Sequence, residues 1–399
     1  MRKIGVEERR ARLGLRHHLA ATSRAGVVEA ARDLVGLHAT DPGTVYLAAR
    51  ARMGVPEVAA VERALYDDRE LVRILGMRRT MFVEPVELMP VVQAACTDAI
   101  AVQERRRLVD MVGRAGLAGD PAGWVEEVGT ATVKALEARG GATAAEVAKD
   151  DPRLGHQIVV AEGKPYEARQ SVVTRILLLL AAEGRIVRGR PRGSWVSGQY
   201  RWSVVDEWLP DGGPEWPAPA AQAELIRRWL AAFGPATTAD VKWWTGLTLG
   251  QVRRALAEAG AVEVDLDGAP GLVLADDLDP VPAPEPWAAL LPSLDPTTMG
   301  WAGRDFYLGP HRPVLFDRNG NAGPTVWWDG RVVGGWAQRR TGEVVLRLLE
   351  DVGADAAAAI EAEAACLADW LGPVRVTPRF RTPLERELAA SVAGGEEPR

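Results

Sequence analysis

Apolar residues in AQAELIRRWLAAFG (221–234) recur at helical spacing, with Ala223, Ile226, Trp229, Leu230 and Phe233 on one face and Gly234-Pro235 as the stop. Thr237 or Thr238 caps a short second helix in TADVKWWTGL, and Thr248 opens a third, LGQVRRALAEAG, which ends at Gly260. The chain then alternates through AVEVDLDGAPGLVLAD (261–276) as two short strands around a glycine turn. Helix, short helix, longer helix and two-stranded ribbon is the order of a winged helix-turn-helix.

The same order precedes it. ATVKALEARGGATAAEVAKD (131–150) reads as helix, glycine turn and Thr143-capped helix, SVVTRILLLLAAEG as a third helix and GRIVRGRPRGSWVSGQYRW (184–202) as a ribbon. Two successive units of one plan suggest duplication. A looser third copy is read from GVVEAARDLVGLH, VERALYDDRELVRILGM and strand-like TMFVEP, with Val61, Leu65 and Leu71 facing inward. Beyond DPVPAPEP (279–286) the pattern changes to strands: FYLGPHRPVLFD, TVWWDGRVVGGW around an Asp329-Gly330 turn, EVVLRLL and PVRVTPRF, with an alanine-rich helix at about 354–371. A small barrel or curled sheet with one helix fits this block.

Breaks at GLAGDPAG (116–123), LPDGGPEWPAPA (209–220) and DPVPAPEP divide the 399 residues into 1–120, 121–212, 213–280 and 281–390, with a flexible tail at 391–399. The expected fold class is α+β. With 47% hydrophobic and 26% charged residues, a disulfide scaffold, a collagen-like fibre and a disordered chain are excluded. The N-terminus lacks the apolar core of a signal peptide, and ILLLLAA (176–182) is too short to span a bilayer, so a cytoplasmic protein without a membrane partner is expected. Cys96 and Cys366 have no zinc or disulfide spacing.

A net charge of -6 argues weakly against nucleic acid, but 43 of the 48 basic residues are arginines, the side chain suited to bidentate phosphate and base contacts. The 184–202 ribbon holds Arg185, Arg188, Arg190, Arg192 and Arg201, no acid from 185 to 202, and interleaved Trp195, Tyr200 and Trp202. That is either a nucleic-acid-binding wing or a solvated edge whose charge resists aggregation. Arg73, Arg78 and Arg79 form a second basic cluster with the same two readings. The later ribbon carries Glu263, Asp265, Asp267, Asp276, Asp277 and Asp279 without a basic residue and reads as scaffold.

One polar constellation interrupts an apolar run, GLHATDPGTVYLAARAR (36–52). Structurally, Asp41 caps a helix, Pro42 takes its first position and His38 fills the preceding turn. His17, His18, His156 and His311 have no metal spacing, and there is no phosphate loop, dinucleotide fingerprint or GxSxG elbow, so neither metal nor cofactor is expected.

LVGLHATDP, VYLAARAR, ALYDDRELVRILGMRRTMFV, LLPSLDPTTMG and TVWWDGRVVGGW, in this order over most of the chain, resemble the winged-helix DNA-binding family that includes the AlkZ/YcaQ-like DNA glycosylases. The resemblance implies three tandem winged helices and a C-terminal β-barrel around a C-shaped, positively lined channel for double-stranded DNA. It also implies a monomeric base-excision enzyme that removes alkylated bases or bulky purine adducts, in repair or in self-resistance to a genotoxin. Characterised members read Gln-x-Gln or Gln-x-Asp where this chain has His38-Ala39-Thr40, so the catalytic candidates are His38, Thr40 and Asp41. The other reading is a non-enzymatic winged-helix regulator, which would usually dimerise on half-sites.

Overall fold

The computed structural model describes residues 1–160, 162–164 and 167–390; the tail expected at 391–399 lies outside them. Helices and short antiparallel sheets alternate, as expected of an α+β chain. They form two compact units, Met1–Val61 with Ile226–Arg399, and Glu62–Leu225.

In the Glu62–Leu225 unit, the strands Leu71–Gly76 and Thr80–Pro85 pair as a hairpin, and Leu65 and Leu71 are buried. The helices Asp98–Arg114, Pro121–Arg139, Ala144–Asp150 and Val172–Ala182 enclose a core that includes Leu108, Val128, Leu136, Ile176 and Leu180. Burying each such side chain contributes about 1.5–3 kcal/mol. Asp120 and Thr143 cap the second and third of these helices, Thr143 in a reciprocal box with Glu146. The ribbon follows as Ile186–Pro191 against Tyr200–Val204. The sequence reading missed the hairpin Gln157–Val160 with Ala168–Ser171, which stands before the last helix.

The other unit contains the three helices and ribbon read from residues 221–276. They are Ala218–Phe233, Thr238–Thr245 and Leu249–Glu258, with Ala261–Leu266 paired to Ala269–Leu274. Capping boxes at Thr237-Asp240 and Thr248-Gln251 set the starts of the second and third helices. Asp240 also accepts hydrogen bonds from the amides of Ala302 and Gly303, both at 2.9 Å, tying this block to the C-terminal segment. An aromatic cluster of Trp229, Phe233, Trp244, Trp301, Phe306 and Tyr307 fills the junction.

The barrel-like expectation for 281–390 is corrected. Ala288–Leu291, Thr325–Trp328, Arg331–Gln338 and Val344–Leu348 form an open four-stranded antiparallel meander. Four strands are too few to close around a filled interior, and helices cover them instead. Ala354–Leu371 packs on the first and last strands and Pro383–Ala390 on the third. Asp329 and Gly330 turn the hairpin with φ of 45° and 79°, the paired positive values of a two-residue turn. Gly334 lets the next strand approach, since a Cβ there would lie 2.3 Å from the Arg347 carbonyl oxygen.

Two expected strands are absent. FYLGPHRPVLFD instead makes the short helices Asp305–Leu308 and Arg312–Leu315, because Pro310 and Pro313 lack the N–H a ladder needs and suit a first helical turn. PVRVTPRF runs past the sheet without joining it. The Gln338 side chain takes the place of a partner strand, accepting from the Val376 amide (2.8 Å) and donating to the Val374 carbonyl (3.0 Å).

Candidate functional site

The His38 segment is built by its neighbours in the chain. Gly36, at φ 100°, turns the chain out of the helix Val27–Asp33, and Leu37–His38 is a short extended stretch. Asp41 then caps the helix Pro42–Arg50, accepting from the Gly43 amide at 3.2 Å, with Pro42 in the first turn as read from the sequence. The second Asp41 carboxylate oxygen accepts from the Arg379 amide at 2.9 Å. Both oxygens are thus held by backbone donors.

The helix that follows is anchored to the C-terminal motifs. Thr44 donates its hydroxyl to the Ser293 carbonyl (2.9 Å). Arg52, fully buried, reaches Asp295, also fully buried, through two parallel bonds of 2.9 and 2.7 Å, and donates further to the Ala48 carbonyl (2.7 Å) and Thr297 hydroxyl (2.8 Å). The Trp336 indole donates to the Leu291 carbonyl at 2.8 Å. VYLAARAR, LLPSLDPTTMG and DGRVVGGW therefore hold one another around the segment that carries His38. Ser293, Asp295, Trp336 and Arg379 were not singled out individually from sequence; the first three lie in the late motifs LLPSLDPTTMG and TVWWDGRVVGGW, and Arg379 in PVRVTPRF, read only as a strand.

His38 is buried, with 6% of its surface exposed, as is Asp41, whereas Thr40 is half-buried. The Thr40 amide points at His38 Nδ1 across a long 3.5 Å contact. In the neutral ring that leaves Nδ1 as acceptor and Nε2 as the N–H. His17 makes a contrasting arrangement. Its Nε2 faces the Ala232 carbonyl (3.2 Å) and its Nδ1 the Thr297 hydroxyl (2.8 Å), and burial holds its pKa well below the ordinary imidazole value.

The eight arginines read as DNA-binding all lie in the Glu62–Leu225 unit. Arg73 is buried with its guanidinium 4.9 Å from the centre of the Tyr200 ring, and Arg188 stacks on Tyr200 and Trp202 at 5.4 and 5.2 Å. Most of the remainder meet carboxylates supplied by other elements. Arg79 pairs with Glu104 (2.9 Å), Arg190 with Asp67 (2.8 Å) and Glu62 (3.1 Å), Arg201 with Glu146 (3.6 Å), and Arg185 more distantly with Glu126 (3.9 Å). Arg78 is half-buried at φ 55°, and Arg192 is exposed. The absence of acids within 185–202 therefore does not leave this ribbon an uncompensated positive edge.

Among the described residues, no helix is long and apolar enough to cross a membrane, and no group of acidic, histidine or cysteine side chains is placed to hold a metal ion. No curated protein matches the chain. The fold is similar to that of a Streptomyces sahachiroi DNA glycosylase, AlkZ, with a TM-score of 0.72 and 22% identity over 94% of this chain and 98% of that one. The model of the DNA glycosylase AlkZ-like family matches residues 31–370, from the helix before His38 to the end of the long C-terminal helix. With the early and late motifs bound to each other across most of the matched span, the chain belongs to the DNA glycosylase AlkZ-like family.

Proposed function

We propose that this protein is a monofunctional DNA glycosylase that hydrolyses the N-glycosidic bond of an alkylated base or bulky purine adduct in double-stranded DNA. Family membership over residues 31–370, which include the whole His38 segment, carries the reading. An N-alkylated purine leaves with its positive charge already in place, through an oxocarbenium-like sugar, so the protein must place a water and support cationic charge rather than supply a strong acid. His38 is assigned to that water. His38 positions that water or takes the proton it loses as its oxygen bonds to the sugar carbon, the base leaving with the electron pair of the N-glycosidic bond. Thr40 orients the water, and Asp41 acts as a positioning residue whose charge lies on the same turn. No lysine falls between Lys3 and Lys134, which disfavours a Schiff base and lyase chemistry.

On this reading the blocks 1–120, 121–212 and 213–280 are tandem winged helix-turn-helix modules that, with 281–390, form a C-shaped channel around the duplex. The helix-and-ribbon order in 121–212 and 213–280 supports this. Arg79, Arg185, Arg190 and Arg201 would exchange carboxylates for phosphates and exposed Arg192 would meet them directly, while Arg73, Arg78 and Arg188 brace the surface beneath. One chain then supplies the contacts for which regulators dimerise, so the protein acts as a monomer, in the cytoplasm.

The test is to incubate duplexes containing 7-methylguanine or bulkier purine adducts with wild type and His38→Ala, and to score abasic sites. Wild type should release at least one lesion, and His38→Ala should be slower by on the order of 100-fold with DNA affinity retained. Equal release by the variant removes His38 from the reaction. DNA binding by wild type without release of any lesion favours the non-enzymatic regulator.

A further inference from the structure

A further group of arginines belongs to the C-terminal part of the unit formed by Met1–Val61 and Ile226–Arg399. Arg312, Arg318, Arg379, Arg381 and Arg386 line one cavity of about 970 Å³ together with Phe316, Phe380 and Asn319. A neighbouring cavity of about 420 Å³ shares Arg381 and Arg386 and adds Arg340.

Charge balance here differs from that of the ribbon. Arg381 is held by Glu385 at 2.7 Å, but among the described residues Arg312, Arg318, Arg379 and Arg386 form no ion pair, and all four are exposed. The single carboxylate in the lining, Asp317, is occupied by its own turn, where it accepts from the Asn319 and Asn321 amides and the Asn321 side chain (2.8–2.9 Å). Four guanidiniums without an ion-pair partner, lining one open cavity whose single carboxylate is engaged by its own turn, repel one another unless an anion bridges them. Phe380, half-buried beside them, offers flat apolar surface for a base or sugar, whereas Phe316 is buried. The cavity also reaches the candidate catalytic turn, because the Arg379 amide is the donor to Asp41.

We infer that this arginine-lined cavity binds backbone phosphates of the DNA strand that carries the lesion, and that Arg379 links the bound strand to the turn that presents His38. The inference rests on the proposed action on DNA and specifies where the strand is gripped. Phosphates rather than base edges are the ligand: the guanidiniums come from two separate stretches of chain, 312–318 and 379–386, and line an open volume, as a sugar-phosphate backbone requires. Arg185, Arg190 and Arg201 of the ribbon must break ion pairs before meeting phosphate, whereas Arg312, Arg318, Arg379 and Arg386 need not.

The experiment compares wild type, the triple variant Arg318→Gln/Arg379→Gln/Arg386→Gln, and Arg347→Gln, an exposed arginine outside both cavities that pairs with Glu387. The Arg379–Asp41 bond uses the main-chain amide, so the substitution leaves it intact. Equilibrium binding to a lesion-containing duplex is measured over a salt series, alongside lesion release and circular dichroism. The triple variant should keep the wild-type spectrum, flatten the slope of log K against log salt by about 2–3, and bind at least about tenfold more weakly near 0.15 M salt, with Arg347→Gln close to wild type. An unchanged slope and affinity in the triple variant, with wild type still releasing lesions, overturns the cavity assignment and leaves the glycosylase reading standing. A flattened slope without lesion release by wild type supports the cavity and overturns the glycosylase reading. Failure of wild type to bind DNA overturns both.

Discussion

Arg52 and Asp295 meet as a doubly hydrogen-bonded ion pair with neither side chain exposed, Nη1 to Oδ2 at 2.9 Å and Nη2 to Oδ1 at 2.7 Å. Each lies in one of the two motif groups that mark the family, so the pair joins the helix after His38 to the C-terminal segment. The Thr297 amide donates to Asp295 and the Ala48 carbonyl accepts from Arg52.

Removing one partner would strand the other charge in the interior. Asp295→Ala should lower unfolding stability by about 3–5 kcal/mol, measured by urea denaturation. The double variant Arg52→Met/Asp295→Leu should recover much of that loss, because an apolar pair carries no desolvation cost. A single variant as stable as wild type would show that the pair contributes nothing.

Asp41 joins two parts of the chain through one carboxylate. Asp41→Ala should cost about 1 kcal/mol from the lost helix cap. It should also raise amide hydrogen exchange at Arg379, whose acceptor it removes. Asp41→Asn should preserve most of the stability. Unaltered exchange at Arg379 in the alanine variant would contradict the link.

His17 and His18 should titrate in opposite directions. Burial holds His17 well below the ordinary imidazole pKa, so the native state keeps it neutral. For His18 burial acts in the same direction, but hydrogen bonds with Asp33 (2.8 Å) and the Ser23 carbonyl outweigh it and raise the pKa. By linkage, the His17 contribution is present above about pH 6.5 and is lost as pH falls toward its native pKa. The His18 contribution is complete below about pH 6.5 and is lost as pH rises through its raised value. Imidazole NMR titration should show His18 protonating first on acidification, and His17 remaining neutral until the protein unfolds.

Glu84 is fully buried and its carboxylate oxygens have no hydrogen-bond partner. Burial pushes its pKa well above the ordinary carboxylate value, so the folded protein holds a proton that the unfolded chain releases. Stability should therefore fall as pH rises from about 4.5 toward that raised value. Glu84→Gln should flatten this part of the stability profile. An identical slope in the variant would sink the assignment.

Local signals in the sequence were the legible ones. Thr237 and Thr248 announced their helices through side chains three residues away, Asp329-Gly330 announced its hairpin, and Asp41-Pro42 announced the cap. Alternation misled where proline broke the ladder, as at Pro310 and Pro313, and where a side chain, Gln338, replaced a strand. The site was half legible. His38 and Asp41 stood out as polar positions in an apolar run, but the partners of Arg52 and Asp41 lie hundreds of residues downstream and left no local pattern. The same long range hid Glu62, Asp67 and Glu146, whose carboxylates compensate arginines that look unopposed in their own segment.

The unit containing His38 takes its first part from Met1–Val61 and the rest from Ile226 onward. During translation the early part must wait, its apolar faces incomplete, until the ribosome has released residues beyond Asp295. The intervening Glu62–Leu225 unit, contiguous in sequence, can condense first. A nascent chain stalled before residue 290 would therefore hold one finished body and an N-terminal segment with nowhere to dock, the state in which a chaperone is most needed.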